Sequence, residues 1–244
     1  MQRKGPSSKN LIRTLSKLGL CSRTQALVHV QAGRVTVNGR CVTDPGYVVR
    51  PQDKIKLDGT AARVQPKRYF LFHKPAGCVT TRQDEKGRKT VYDYLGEIGS
   101  WVFPVGRLDQ DSEGLLILTN DTAFGHQLTE PRFQVPRIYE IWVQGLLTPE
   151  DQKQISRGIE IGRGEIARGA RLKILKAGRE VSHAEIRLTE GKNREVRRLF
   201  ETLGKPVTRL LRTHFGPYQL GNLPPGTWKE ILNPSGLKLN PDQF

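Results

Sequence analysis

The sequence predicts an α+β protein in two parts: a small helix–helix–hairpin unit, then a larger domain on a mixed, mostly antiparallel sheet. Three observations carry this. After residue 68, helical and extended patterns interleave without the strict strand–helix–strand alternation of a parallel fold. The first 66 residues hold twelve Lys or Arg against Asp44, Asp53 and Asp58, a net of +9 out of +16 for the 244-residue chain. Between the two parts lies DGTAARVQPK, residues 58–67, which is short on large apolar residues and contains Gly59 and Pro66. The expected layout is a flexible start at 1–8, a small domain at 9–57, a linker at 58–67 and a large domain at 68–244.

In the first part, Leu11, Leu15 and Leu18 share one face of a short helix that Gly19 stops. Ser22 and Gln25 have capping-box spacing for a second helix through Ala26, Leu27 and Val30, closed by Gly33. VTVNGRCV alternates around Asn38-Gly39, a strong hairpin signal. In the second part, RYFLFHKPAGCVTT (68–81) predicts a strand, a turn at Lys74-Pro75-Ala76-Gly77 and a second extended piece. Residues 115–118 read as a buried strand entered through a polar loop. RIYEIWVQG and HAEIRLTEG alternate in strand fashion. NREVRRLFETLG predicts a helix with an apolar stripe of Val196, Leu199, Phe200 and Leu203, ended by Gly204 and Pro206. Arg194, Arg197 and Arg198 fall on its other faces.

A pI near 10.1 points to a polyanionic partner, nucleic acid before membrane. Apolar runs are far too short for a membrane span, and the N-terminus has no apolar core behind its basic residues. Cys21, Cys41 and Cys78 lie far apart and suggest neither a disulfide framework nor a zinc site. A cytoplasmic, monomeric protein is the expectation.

GRLDQDSEGLLILTND, residues 106–121, crowds Asp109, Asp111, Ser112, Glu113 and Asp121 around the buried strand. A solvated turn, a metal site on Asp109 and Asp111, and a nucleophile at Ser112 are all open on residue types alone. The larger pattern narrows this. SRTQALVHVQAGRVTVNGR resembles the S4 RNA-binding module of ribosomal proteins. Gly-Arg-Leu-Asp followed by Ser-x-Gly-Leu-Leu-x-Leu-Thr-Asn-Asp resembles the signature of the ribosomal RNA pseudouridine synthase family. LFHKPAGCVTT, RIYEIWVQG and EGKNREVRRLF are similar to further segments of that family, in the same order.

The resemblance implies isomerisation of uridine to pseudouridine in bacterial ribosomal RNA. Nothing is oxidised and no group is imported, so no cofactor and no metal are expected. It implies Asp109 as the essential carboxylate, Arg197 as its basic partner and Tyr139 at the active site. Leu210 would pack under the base, with Leu211 as the register alternative. Arg107, Gln110, Arg194 and Lys74 are expected at the substrate, with Ser112 and Gly114 shaping the turn and Asp121 closing it. In the small domain Arg13, Lys17, Arg23, Arg34 and Asn38 are expected to meet RNA. Glu195, where many relatives have Gln, suggests 23S rather than 16S rRNA. A metal-dependent nuclease or sugar-transferring enzyme and a non-catalytic ribosome assembly factor are the rival classes.

Overall fold

The computed structural model describes residues 9–232, except 97 and 169. The described chain divides into two compact units. One runs to Arg68 and takes in 98–103 and Asn120–Thr122; the other holds the rest.

In the first unit, β1 (Lys9–Asn10) leads into α1 (Leu11–Lys17) and α2 (Arg23–Gln31). Asn10 caps α1 through the Arg13 amide, and Ser22 with Gln25 forms the expected capping box on α2. β2 (Val35–Val37) and β3 (Arg40–Cys41) turn at Asn38-Gly39, both with positive φ. β4 (Val48–Val49) pairs with β1, and β5 (Ile55–Leu57) pairs with β2. β6 (Thr60–Ala61) returns on β5 through Asp58-Gly59, again with positive φ at both positions. The segment expected as a linker therefore begins as a hairpin, because Asp-Gly has the same turn chemistry as Asn-Gly. Leu11, Leu15, Ala26, Val30, Val35 and Ile55 form the core. Asn120 joins this unit by bonding the Arg68 amide and the Pro66 carbonyl, both at 2.8 Å.

The second unit is a large sheet. Its strands are β7 (Tyr69–Lys74), β8 (Phe103–Val105), β9 (Glu113–Thr119), β10 (Arg137–Gln144), β13 (Arg171–Lys176), β14 (Val181–Leu188), β15 (Val207–Phe215), β16 (Tyr218–Gln219) and β17 (Trp228–Ile231). The main order is β13-β14-β10-β15-β9-β7-β17, with only β15 and β9 recorded as parallel among its registers. The mixed, mostly antiparallel sheet matches the expectation. Helices α3 (Thr122–Thr129), α4 (Pro149–Arg157) and α5 (Glu195–Thr202) alternate with strands, and β11 (Ile159–Glu160) with β12 (Ile166–Ala167) makes a small separate hairpin.

Two local expectations change. The second extended piece after the Lys74 turn is reduced to a single bridge, Val79 to Thr90. The chain beyond it folds on Asp84, whose carboxylate accepts the Lys86 and Arg88 amides and the Arg88 guanidinium. These contacts, Arg88 first, pull Asp84 down to a pKa of about 2. Second, Arg197 is buried rather than on an outer face of α5. No helix among the described residues is long and apolar enough to cross a membrane.

Candidate active site

Residues of the second unit form a cleft of about 660 Å³. Its makers are the 106–112 loop, the turn before β10, strands β10 and β15, and the 188–196 approach to α5.

The loop is braced from below. Leu108 is buried, and Thr80 donates its hydroxyl to the Leu108 carbonyl at 2.7 Å. The Ser112 amide closes a turn on the Asp109 carbonyl at 3.1 Å. Lys74 lies fully buried beneath and donates to the carbonyls of Ser112 at 2.7 Å, Pro75 at 3.0 Å and Gln110 at 3.3 Å. Burial pushes the Lys74 pKa down, and nearby Cys78 and the acids of the loop oppose this. Gly114 then brings β9 against β15. A Cβ there would lie 2.3 Å from the Arg212 carbonyl oxygen.

Strand alternation sets the walls. In β10, Tyr139, Ile141 and Val143 are buried while their neighbours are half-exposed. Tyr139 pairs with Arg212 and Ile141 with Leu210 on β15, so Tyr139, Leu210 and Arg212 share one face. All three line the cleft with Asp109.

Charge is arranged as a chain. Asp109 keeps about 35% of its side chain exposed, and the Arg194 guanidinium lies 3.8 Å from it. Arg194 also lies 3.4 Å from Asp111. Asp111 in turn meets Arg197 at 3.1 Å. Arg197 is held by two carbonyls as well, Val207 at 3.0 Å and Asp111 at 3.1 Å. At the other wall, Arg137 stands 4.8 Å over the Phe215 ring and donates to the carbonyls of Glu190, Leu128, Val135 and Thr189. Burial lowers its pKa. Glu195 is buried, accepts the Lys192 amide at 3.0 Å, and has its pKa raised chiefly by burial.

The family model described as RNA pseudouridylate synthase matches residues 68–202, over half of the chain and the segment that supplies the loop, β10 and α5. The chain belongs to the RNA pseudouridylate synthase family. An S4 domain matches residues 10–55. The chain is 36% identical over 225 residues to the ribosomal large subunit pseudouridine synthase B of Bacillus subtilis (strain 168), covering 91% of this chain and 92% of that one. An uncharacterized RNA pseudouridine synthase of Aquifex aeolicus (strain VF5) is 37% identical, with 89% and 88% covered. A Yersinia pestis protein with the same name as the Bacillus one is 36% identical, with 91% and 72% covered. A crystal structure of a pseudouridylate synthase superposes with a TM-score of 0.67 at 24% identity, covering 92% of this chain and 96% of that one, a likeness of fold.

Within this family member, Asp109, Tyr139, Leu210, Arg107 and Arg194 all line the cleft. Leu210 rather than Leu211 faces it; Leu211 packs toward the core on the other side. Four of the expected residues have partners that the sequence reading did not assign. Arg197 contacts Asp111, and the cation beside Asp109 is Arg194. Lys74 is not among the cleft residues, because its ammonium is consumed by loop carbonyls. Gln110 is exposed, donates to the Gly77 carbonyl and accepts from Arg88. Asp121 belongs to the first unit, where it pairs with Lys67 at 2.7 Å.

In the S4 domain, Arg13, Lys17 and Arg23 are exposed. Arg34 is tied to both oxygens of Asp58, at 2.8 and 2.5 Å. Asn38 spends both ends of its amide on Asp53 and the Lys54 backbone. Sequence reasoning missed Arg137 and Arg212. Each lies two residues from an expected site residue on the same strand, Tyr139 and Leu210, and period-two spacing was the available signal.

Proposed function

We propose that this chain converts uridine to pseudouridine in bacterial ribosomal RNA, at a site in 23S rRNA, with Asp109 as the essential carboxylate and no cofactor. One observation carries the reading: Asp109, Tyr139 and Leu210 come from three separate elements and line one cleft. The reaction breaks the bond from ribose C1′ to uracil N1 and makes one to C5. A proton leaves C5 and N1 gains one, so atoms and electrons balance without an oxidant, a reductant or an imported group.

Leu210 offers the base an apolar surface. Tyr139 stacks on it or brings its hydroxyl toward C5. Asp109 presents its carboxylate to the cleft with the Arg194 guanidinium 3.8 Å away. Lys74 and Arg197 act indirectly: they fix the loop on which Asp109 stands. Taking the uridine out of its stack costs roughly a few kcal/mol. Phosphate contacts from Arg107 and from Arg13, Lys17 and Arg23 of the S4 domain offset this. Residues 9–57 then serve as the RNA anchor and the part from 68 onward as the catalytic domain of a cytoplasmic monomer.

The choice of 23S rRNA rests on the names of the Bacillus and Yersinia relatives and on Glu195 in Asn-Arg-Glu-Val-Arg-Arg. The test is incubation with unmodified 23S and 16S transcripts, with and without exhaustive chelation, followed by pseudouridine mapping. A site in 23S rRNA that persists after chelation is expected. Conversion confined to 16S rRNA moves the target. Tight binding without conversion of either favours an assembly factor, and loss on chelation revives a metal at Asp109 and Asp111.

A further inference from the structure

Five non-glycine residues among the described ones have positive φ: Asn38, Asp58, Gln134, Arg163 and Arg194. Asn38 and Asp58 precede glycine in hairpin turns, a setting in which Asn and Asp are common. Gln134 is different. It ends the short 3-10 turn Pro131–Phe133 with φ 46° and ψ 37°. A long side chain there carries a strain that glycine avoids. Neighbours enforce the conformation: Val135 is buried, Phe133 packs on the same core, and the Gly216 amide holds the Pro136 carbonyl at 2.8 Å. The residue is exposed and lines the cleft, and while its backbone amide donates to the Pro131 carbonyl, its side-chain carboxamide has no hydrogen-bond partner among the described residues. The strained position therefore supports no internal hydrogen bond of the side chain among the described residues.

We propose that Gln134 reads a nucleobase of the RNA beside the target uridine, through a two-point hydrogen bond from its carboxamide. This rests on the pseudouridine synthase reading of the same cleft. A carboxamide is neutral and offers donors and an acceptor together, which complements a base edge. A phosphate calls for cations, and the cleft holds these on Arg107, Lys192 and Arg194. The cations position the strand and the amide adds sequence information. Bases splayed from RNA loops expose the edges such a contact needs.

The test uses full-length Gln134→Gly and Gln134→Ala with 23S transcripts that carry each base in turn at the positions flanking the converted uridine. Glycine relieves the backbone strain and alanine keeps it, while both remove the amide. Expected is a fall in kcat/KM of about tenfold or more in both variants on the natural sequence, the effect of losing one two-point base contact. Preference among the flanking bases should flatten, while the glycine variant melts no lower than wild type. Unchanged kcat/KM and unchanged preference in the glycine variant overturn the proposal. So does a loss that tracks a lowered melting temperature, which would make Gln134 structural. If the wild type forms no pseudouridine on any transcript, the functional reading has failed. Filter binding of the same transcripts then judges Gln134: lost affinity with a flattened preference supports base reading, and unchanged binding rejects it.

Discussion

The two units hold their charge in opposite ways. In the S4 unit the core is apolar, and Arg13, Lys17 and Arg23 stand in solvent. In the cleft unit Lys74, Glu195, Arg197 and Arg212 are each less than a tenth exposed. A surface cation acts at a distance on any phosphate and is screened by salt. A buried cation must be matched with carbonyls or carboxylates, as Lys74 and Arg197 are, so it fixes a shape. On the function proposed above, this contrast fits attraction of RNA by one unit and positioning of chemistry by the other.

The largest break should come from glycine positions that look alike in sequence. Gly114→Ala would drive a Cβ to 2.3 Å from the Arg212 carbonyl oxygen at φ 107°. It should cost on the order of 4 kcal/mol by urea melting, from strain and overpacking together. Gly39→Ala, at φ 82° with open space around it, should cost only about 1 kcal/mol.

Next in size is Arg197→Met. It leaves the Val207 and Asp111 carbonyls without their donor and should cost about 2–4 kcal/mol, with activity falling as the loop loosens. Asp111→Asn keeps the backbone carbonyl bond and loses ion pairs on a half-exposed side chain, so about 1 kcal/mol or less is expected. Equal losses in the two variants would mean that the ion pair, not the carbonyl contacts, holds the loop.

The S4 unit should respond in the opposite currency. Replacing Arg13, Lys17 and Arg23 together by Gln should change stability far less than Arg197→Met does. The slope of log affinity for RNA against log salt should shrink by about 2–3. An unchanged slope would remove the anchor role from this unit.

The smallest effect is a pH signature at Glu195. Burial raises its pKa above the ordinary 4.5, so the folded protein binds this proton more tightly than the unfolded chain. Wild-type stability from this group is fully present below 4.5 and is lost as pH rises through the raised folded value. Glu195→Gln should therefore gain stability over wild type at neutral pH, and the gain should vanish below 4.5. A constant difference at all pH values would show that burial does not govern this carboxyl.

Much of the fold was legible because its signals are local. The Ser22–Gln25 box, the Asn38-Gly39 turn and the alternation of β10 act within a few residues. Asp109, Tyr139 and Leu210 were reached through motif resemblance, and the structure brings them together. What failed was long-range. The fate of Lys74 depends on carbonyls 36 and 38 residues away, so it read as a substrate cation. Arg197 was assigned to Asp109 because a motif cannot tell which of two acids, two residues apart, turns toward a helix. The choice between Leu210 and Leu211 depended on pairing with β10, which sets the parity of β15.

The most direct measurement is the single-turnover rate of pseudouridine formation at saturating 23S transcript, wild type against Asp109→Asn. Asn keeps the size and the turn but cannot carry the anion beside Arg194. The rate should fall by at least about a thousandfold, while melting temperature and RNA affinity stay near wild type. Conversion by the Asn variant at close to the wild-type rate would contradict the assignment of Asp109, and with it the reading of this cleft.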